Sequence, residues 1–293
     1  MSSKATAISY GGATIINAIA TGKGAAFGVK LWTKAEVRIT GYPHVIRGEI
    51  TSDPSESTTL IEKTVKKVLE HFGLAGKFGA EVKTWSNIPI ACGLKSSSVA
   101  ANAIALATVA ALQKEVDDLT IINLGVEGAM EAKVTVTGAF DDACASYFGG
   151  IVITDNFKRK IVKRFKAPED LKVLFHIPKT KVYTSSIKVE KLKTISPLVE
   201  IAYREALKGN FWRALTLNGM LYSFALGYDP SIAMNALTAG AMAAGLCGKG
   251  PAVTAVVAED KVDKVKEALM KYEGEVIEAE INNEKARVLE VSP

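Results

Sequence analysis

The sequence contains few residues of the types that form disulfides or bind transition metals. Its 293 residues include three cysteines, Cys92, Cys144 and Cys247, which lie far apart and form no Cys-x-x-Cys pair. The three histidines also lack the spacing of metal ligands. The pattern therefore indicates neither a disulfide framework nor a zinc site.

The sequence also lacks the long apolar segments that direct a chain into or across a membrane. Met1-Ser-Ser-Lys is followed by a glycine-rich run, where a signal peptide would be apolar. The longest apolar stretch is interrupted by Asn102, Thr108 and Gln113, and it fits a core helix better than a bilayer span. We therefore expect a cytoplasmic protein with no membrane partner.

The composition is that of a globular protein with one large domain or two of ordinary size. Apolar residues make up 48% of the chain and charged residues 23%, and the net charge is +5. Basic residues are dispersed, with one concentration over residues 158–164 that is typical of a solvated face. The dispersed charge argues against a nucleic-acid partner, and the sequence gives no indication of the oligomeric state.

The most informative stretch runs from Pro89 to Gln113, where a small, polar loop precedes an alanine-rich apolar segment. The segment after Ser98 predicts a helix of about four turns that is buried on all sides. A serine cap after a tight turn would explain one serine of the loop. Three serines together with Gly93 and Lys95 exceed what capping requires and favour a phosphate site at the helix N-terminus. No Gly-x-x-x-x-Gly-Lys-Ser/Thr sequence occurs, so the usual P-loop is excluded.

A pair of adjacent carboxylates, Asp141 and Asp142, follows Gly138 in a region of small and apolar residues. Burial of two carboxylates without partners is costly, so a solvated turn is one interpretation. The other interpretation is a functional base that faces a metal or a cationic site. The residues alone leave both open.

The remaining pattern predicts a mixed chain of helices and strands with a second glycine-rich loop. The glycines over residues 5–31 suit either short strands joined by tight turns or a backbone that approaches a ligand closely. A domain boundary near the charged stretch 156–170 divides the chain into residues 1–156 and 157–293. The loop Gly245-Leu-Cys-Gly248-Lys249-Gly250-Pro251 stands between a helix and a strand. Helices are predicted over residues 57–72, 119–133, 197–207, 211–222, 231–244 and 261–271.

These motifs and their order resemble the superfamily of galactokinase, homoserine kinase, mevalonate kinase and phosphomevalonate kinase, the GHMP kinases. Its second motif, Pro-x-x-x-Gly-Leu-x-Ser-Ser, is matched from Pro89 to Ser97, and the third is matched loosely by the 245–251 loop. Two positions depart from that pattern. Lys95 replaces a small residue, and the third motif is less glycine-dense than usual.

Within this superfamily the chain most resembles the archaeal-type shikimate kinases, through Gly11 to Gly28, Gly93 to Ser98, Gly138 to Ala143 and Gly248 to Pro251. The resemblance implies an α+β fold of two domains, the first with a left-handed βαβ crossover and the second ferredoxin-like. It implies ATP and Mg²⁺ as cofactors and transfer of the γ-phosphoryl group to the 3-hydroxyl of shikimate.

The resemblance also implies roles for individual residues. The phosphates would be bound by the second-motif loop, Mg²⁺ by hydroxyl and carboxylate oxygens, and shikimate by polar groups of the glycine-rich loops. Spacing from the predicted metal ligand Glu131 favours Asp142 as the base, whereas the Gly-x-x-Asp pattern favours Asp141, and both stay open. The predicted nucleotide-binding residues are Pro89, Ile90, Ala91, Cys92, Gly93, Leu94, Lys95, Ser96, Ser97 and Ser98; the metal ligands Ser97, Ser98 and Glu131; and the substrate contacts Thr14, Asn17, Lys23, Gly248, Lys249 and Gly250.

Two other functions fit the same motifs. The chain could phosphorylate homoserine or a mevalonate-type alcohol, or it could bind nucleotide as a sensor without turnover. Retention of Glu131 and the aspartate pair argues against a sensor, because a protein that only binds needs no base. Shikimate carries a carboxylate that a cation must meet; Lys23, in the first glycine-rich stretch, is one candidate among the 36 Lys and Arg residues, and the sequence alone does not choose among them.

Overall fold

The computed structural model describes residues 3–90, 92–135, 137–179 and 192–292. They form a mixed α+β fold with two sheets and eight α-helices in the described part. The strands are β1 Lys4–Ile16, β2 Lys23–Thr40, β3 Ile46–Ile50, β4 Gly79–Ser86, β5 Ile151–Asp155, β6 Lys160–Phe165, β7 Leu171–Ile177, β8 Ala243–Leu246, β9 Val253–Ala258, β10 Glu275–Glu280 and β11 Arg287–Ser292. The α-helices are α1 Thr59–His71, α2 Ser96–Ala111, α3 Asp118–Glu131, α4 Phe140–Phe148, α5 Ser196–Leu207, α6 Phe211–Leu226, α7 Ser231–Ala239 and α8 Val262–Met270.

The larger sheet has seven strands, with the order β11-β1-β2-β4-β3 and with β5 and β6 attached to the first half of β2. Only β3 and β4 are parallel in it, and α1 connects them. Such a parallel pair needs a crossover, which is why a helix lies between these strands. The helices α1 to α4 lie between β3 and β5 in the chain.

The smaller sheet has the order β10-β7-β9-β8 and is antiparallel throughout. In chain order, helices lie between β7 and β8 and between β9 and β10, which is the ferredoxin-like arrangement. The predicted fold class is therefore confirmed. The division at residue 156 stays a prediction, and both β6 and β11 pair within the larger sheet.

Helix α2 is the predicted buried helix, and twelve of its sixteen residues are buried. Asn102, fully buried near its middle, donates from Nδ2 to the carbonyl of Ala143 and to Oγ of Ser146, both at 2.8 Å. A buried amide needs such partners, and here they join α2 to α4. Side chains of the larger sheet, of helix α6 and of the smaller sheet share one hydrophobic core, so the two sheets belong to one packed structure.

Two sequence predictions about elements are wrong in part, and one helix was missed. The strands β1 and β2 run through the glycines at 11–12 and 24 without a turn, and the turn that joins them ends at Gly22. A Cβ on Gly11 would meet β2, and a Cβ on Gly24 would meet Asp141. The helix predicted over residues 231–244 ends at Ala239, where Gly240 has φ of 115°, and Ala243 already pairs in a strand. Helix α4 was not predicted.

None of the described helices is long and apolar enough to cross a membrane.

Candidate active site

A cavity of about 510 Å³ lies between the N-termini of α2 and α4, the start of α1 and the loop that connects β8 to β9. The lining residues at the starts of α2 and α4 and in the loop between β8 and β9 are mostly polar, and this part is called the polar end. Most of the apolar lining side chains come from β3, α1, α3 and the later turns of α2, and this part is called the apolar end. The polar end includes Asn17, Gly93, Lys95, Ser96, Ser97, Ser98, Asp141, Asp142, Gly248 and Lys249. The apolar end includes Ile50, Leu60, Ile61, Ala100, Ile104 and Ala129.

The three serines are the first three residues of α2, and Lys95 is its N-cap residue. Lys95 has φ of 66° and its side chain makes no capping hydrogen bond, so the serine cap considered from the sequence is not present. Non-glycine residues rarely adopt this left-handed conformation, which costs free energy and is often found at functional sites. The first amides of α2 therefore have no side-chain cap and lie at the positive end of the helix dipole.

Gly93 brings the second-motif loop into contact with the 247–251 loop. A Cβ at this position would lie 2.6 Å from the carbonyl oxygen of Cys247 and 3.0 Å from that of Gly250, and φ is 86°. Only glycine satisfies both the conformation and the close approach. The amide of Ala252 also donates to the carbonyl of Cys92 at 3.2 Å. The two glycine-rich loops therefore form one wall of the cavity.

The aspartate pair lies in the first turn of α4, and both residues are buried, with 3% of Asp141 and 9% of Asp142 exposed. The solvated turn is therefore the wrong interpretation. Nζ of Lys95 lies 2.8 Å from Oδ1 of Asp142, and both side chains are largely inaccessible. Loss of hydration makes the burial of each charge costly, and the attraction between the two groups at this distance offsets that cost. This ion pair joins the N-termini of α2 and α4.

The carboxylate of Asp141 is positioned by a hydrogen bond from Asn156 and by close contact with Gly24. Its Oδ1 accepts a hydrogen bond of 2.7 Å from Nδ2 of Asn156, whose own Oδ1 accepts from the hydroxyl of Thr154 at 2.7 Å. Its Oδ2 faces Gly24, where a Cβ would lie 2.5 Å away. Burial and then the negative charge of Asp142 raise the pKa of Asp141 to about 7, against the opposing effect of Lys95.

Two lysines lie at the polar end of the cavity, and their surroundings differ. Burial alone would lower the pKa of Lys95, but the charges of Asp142 and other acidic groups outweigh burial and raise this pKa. Lys249 is half-buried and faces a like charge, so burial first and then Lys95 lower its pKa to about 8.

Several predicted residues do not line the cavity. Thr14 and Gly250 support the 247–251 loop instead, since Oγ1 of Thr14 accepts a hydrogen bond of 2.9 Å from the amide of Gly248 and the amide of Gly250 donates to Cys247. Within the second motif, Pro89 lies outside the lining and Cys92 and Leu94 are buried in the hydrophobic core. Ala91 lies outside the described residues.

The structure does not bring Glu131 into the cavity. Its carboxylate pairs with Lys67 and lies 3.9 Å from Lys63, on the outer side of α1 and α3. The hydrogen bond from Lys67 lowers the pKa of Glu131. The prediction that Glu131 is a metal ligand beside Ser97 and Ser98 therefore finds no support in the geometry. Among the described residues, no group of three or more His, Cys, Asp or Glu side chains is arranged to hold a metal ion.

Lys23 is also absent from the lining. Its Nζ pairs with Glu200 on α5 at 2.9 Å, and the ring of Tyr203 lies 5.5 Å from the same atom. The sequence did not reveal this pairing, because the two partners are 177 positions apart. Sequence reasoning also missed Asn156, which the pattern of residues gives no reason to single out, and the apolar end of the cavity.

Comparison with known proteins gives the family. The model of the GHMP kinases N terminal domain matches residues 59–150. Shikimate kinase of Methanosarcina mazei is 49% identical over 279 residues, with 94% of each chain covered, and that of Methanothermobacter thermautotrophicus is 42% identical, with 98% of this chain and 99% of the other covered. The chain belongs to the archaeal-type shikimate kinases of the GHMP superfamily. Shikimate kinase of Pyrococcus abyssi is 47% identical over 267 residues, covering 90% of this chain and 94% of that protein.

Solved structures agree on the fold of this GHMP kinase. Mevalonate kinase of Methanococcus jannaschii aligns with a TM-score of 0.76 and 19% identity over 95% of this chain and 98% of that chain. Homoserine kinase of Cytophaga hutchinsonii aligns with a TM-score of 0.74 and 16% identity over 98% of this chain and 97% of the other. At these identities the likeness concerns the fold alone.

Proposed function

We propose that this protein transfers the γ-phosphoryl group of ATP to the 3-hydroxyl of shikimate, giving shikimate 3-phosphate and ADP. One observation carries the proposal: the buried Lys95–Asp142 pair lies beside the α2 N-terminus in a single cavity. The acceptor follows from the shikimate kinases to which this chain is 42–49% identical. A cytoplasmic location is part of the proposal.

The cavity, of about 510 Å³ and with both polar and apolar walls, is large enough for a nucleotide. Its apolar end, with Ile61 and Ile104, would enclose the base, since ligand pockets combine apolar walls with a few placed polar groups. The triphosphate would then extend along α2 to its N-terminus. There the backbone amides and the hydroxyls of Ser96 to Ser98 would bind its oxygens.

The donors present suit Mg²⁺ bound chiefly through the nucleotide. Mg²⁺ prefers hard oxygen ligands, keeps several waters and is commonly shared with substrate phosphates. The hydroxyls of Ser97 and Ser98 line the cavity and would hold it, whereas Glu131 lies outside. When bound, the ion would neutralise phosphate charge.

We assign the proton acceptor to Asp142 and a supporting position to Asp141. Asp142 meets the cation of the phosphate loop, whereas the oxygens of Asp141 face Asn156 and Gly24. As the 3-hydroxyl oxygen forms its bond to the γ-phosphorus, the bond from that phosphorus to the β–γ bridging oxygen breaks. The hydroxyl proton passes to Asp142, and ADP leaves. Lys95 holds the carboxylate in place during this transfer.

A coupled assay of ADP release tests the proposal with shikimate, homoserine and mevalonate as separate acceptors. We expect turnover only with shikimate, and ³¹P NMR of the product should show a phosphate monoester on the 3-oxygen. Turnover with homoserine or mevalonate in its place would move the protein to another kinase of the superfamily. Nucleotide binding without turnover on any of the three alcohols would identify a sensor.

A further inference from the structure

The two cations at the polar end of the cavity are not equivalent. Lys95 is neutralised by Asp142 at 2.8 Å. Lys249 has no carboxylate within salt-bridge distance anywhere in the described ranges, yet it is half-buried and lines the cavity. A partly desolvated ammonium that pairs with no carboxylate is unfavourable; burial and the charge of Lys95 lower its pKa to about 8, against the smaller opposing effect of Asp142. The side chain is therefore prepared for an anion that the protein does not supply.

The loop that carries Lys249 is fixed on both sides. The amide of Gly248 donates to Oγ1 of Thr14 at 2.9 Å, and Nδ2 of Asn17 donates to the carbonyl of Gly248 at 2.8 Å. Asn17 is itself positioned, because its backbone N–H donates to Oδ1 of Asn218 at 3.0 Å. Anchored backbone on both β1 and α6 therefore presents Lys249 at a defined position, which favours specific recognition.

The position of Lys249 separates it from the nucleotide. The apolar end of the cavity lies along α2 at Ala100 and Ile104, and a helix rises about 1.5 Å per residue, so Ile104 lies roughly 12 Å from the helix start. The 247–251 loop lies past that start, where a Cβ on Gly248 would be 3.1 Å from Nζ of Lys95. A nucleotide that extended from Ile104 to the α2 N-terminus would end with its γ-phosphate at the second-motif loop. The acceptor would then occupy the part of the cavity beside Lys249.

We propose that Lys249 is the receptor for the carboxylate of the acceptor and restricts this site to acidic alcohols. The inference rests on the proposed function, which supplies shikimate as the acceptor. It replaces the earlier expectation for Lys23, whose ammonium is paired with Glu200 outside the cavity. Charge-assisted hydrogen bonds to a carboxylate are strong when partly buried, so this contact distinguishes an acid from a neutral analogue.

The test measures equilibrium binding of shikimate and of its carboxamide in the presence of a non-hydrolysable ATP analogue and Mg²⁺. The carboxamide keeps the ring and hydroxyls but has no charge. We expect wild-type protein to bind shikimate at least about 30-fold more tightly than the amide, and Lys249→Met to bind both within about 3-fold. Lys23→Met is the matched control and should keep the wild-type ratio. Affinity for the ATP analogue should stay unchanged in both variants.

The inference is overturned if Lys249→Met still prefers the acid to the amide as strongly as the wild-type protein does. If that variant also binds the ATP analogue more weakly, Lys249 would be assigned to the phosphates instead. Lys249→Gln provides the same comparison if the methionine variant does not fold by circular dichroism. Because binding is measured without turnover, failure of the proposed function, seen as absent ADP release, is recorded separately.

Discussion

Lys95 and Asp142 form a buried ion pair of 2.8 Å that joins the N-termini of two helices from different parts of the chain. Lys95 is itself the N-cap residue of α2 and has the left-handed backbone conformation. Ala139, the N-cap residue of α4, has the same conformation with φ of 47°. One member of the pair, and the residue three positions before the other, therefore have strained backbones. Strain of this kind persists only where the surrounding structure maintains it.

The pair should couple strongly in stability measurements. Removal of one partner leaves the other as an uncompensated buried charge, so Lys95→Met and Asp142→Asn should each lower the free energy of unfolding by about 3 kcal/mol. The double variant should lose clearly less than the sum of the two, because no unpaired charge remains. Urea unfolding of the four proteins gives the coupling. Additive losses would show that the contact is not formed in solution.

Substitution of Ser97 should weaken ATP binding, whereas substitution of Glu131 should have little effect on it. Ser97 lines the cavity at the α2 N-terminus, so Ser97→Ala should raise the Kd for ATP with Mg²⁺ by about 10-fold. Glu131→Gln should leave ATP affinity and the Mg²⁺ dependence of kcat within about 2-fold, because its carboxylate pairs with surface lysines instead. Calorimetry and magnesium titrations measure both. A large effect of Glu131→Gln alone would return that residue to the metal site.

Asp141 should make stability depend on pH in a defined direction. Its pKa is raised by burial from 3.8 to about 7, so the folded state favours the protonated form. Its contribution is therefore fully present below about pH 4 and is lost as the pH rises through 7. Asp141→Asn should gain stability relative to wild type as the pH rises from 4.5 to 7 and then hold that gain to pH 8. Urea unfolding across this range measures the difference, and a difference independent of pH would contradict the assignment.

Gly24 should be essential for the position of Asp141. A Cβ on Gly24 would lie 2.5 Å from Oδ2 of Asp141, so Gly24→Ala must displace a carboxylate that Asn156 holds from the other side. We expect a loss of about 2 kcal/mol in stability together with a lower kcat. Gly41→Ala is the matched control, since nothing lies within 4 Å of a Cβ there. Equal effects in the two variants would remove any special role for Gly24.

Local features of this protein were predictable, and long-range pairings were not. The buried helix after Ser98 follows from its own composition, and the three serines at its start predict an anion site, which stays a prediction. The carboxylate pair gave no such answer, because only the distant Lys95 decides whether burial of Asp142 is tolerable. Lys23 was chosen for its place in a glycine-rich run, but Glu200, which binds it, comes from α5. Ion pairing in the folded chain cannot be inferred from residue type alone.

The turnover of Asp142→Asn beside that of Asp141→Asn tests the central claim most directly. Asp142 is proposed to accept the hydroxyl proton, so Asp142→Asn should lower kcat for shikimate phosphorylation by at least about 100-fold while calorimetry shows unchanged affinity for an ATP analogue. Asp141→Asn, which keeps an oxygen for Asn156, should retain clearly more activity. Near wild-type kcat in Asp142→Asn, with activity lost in Asp141→Asn instead, would contradict the account.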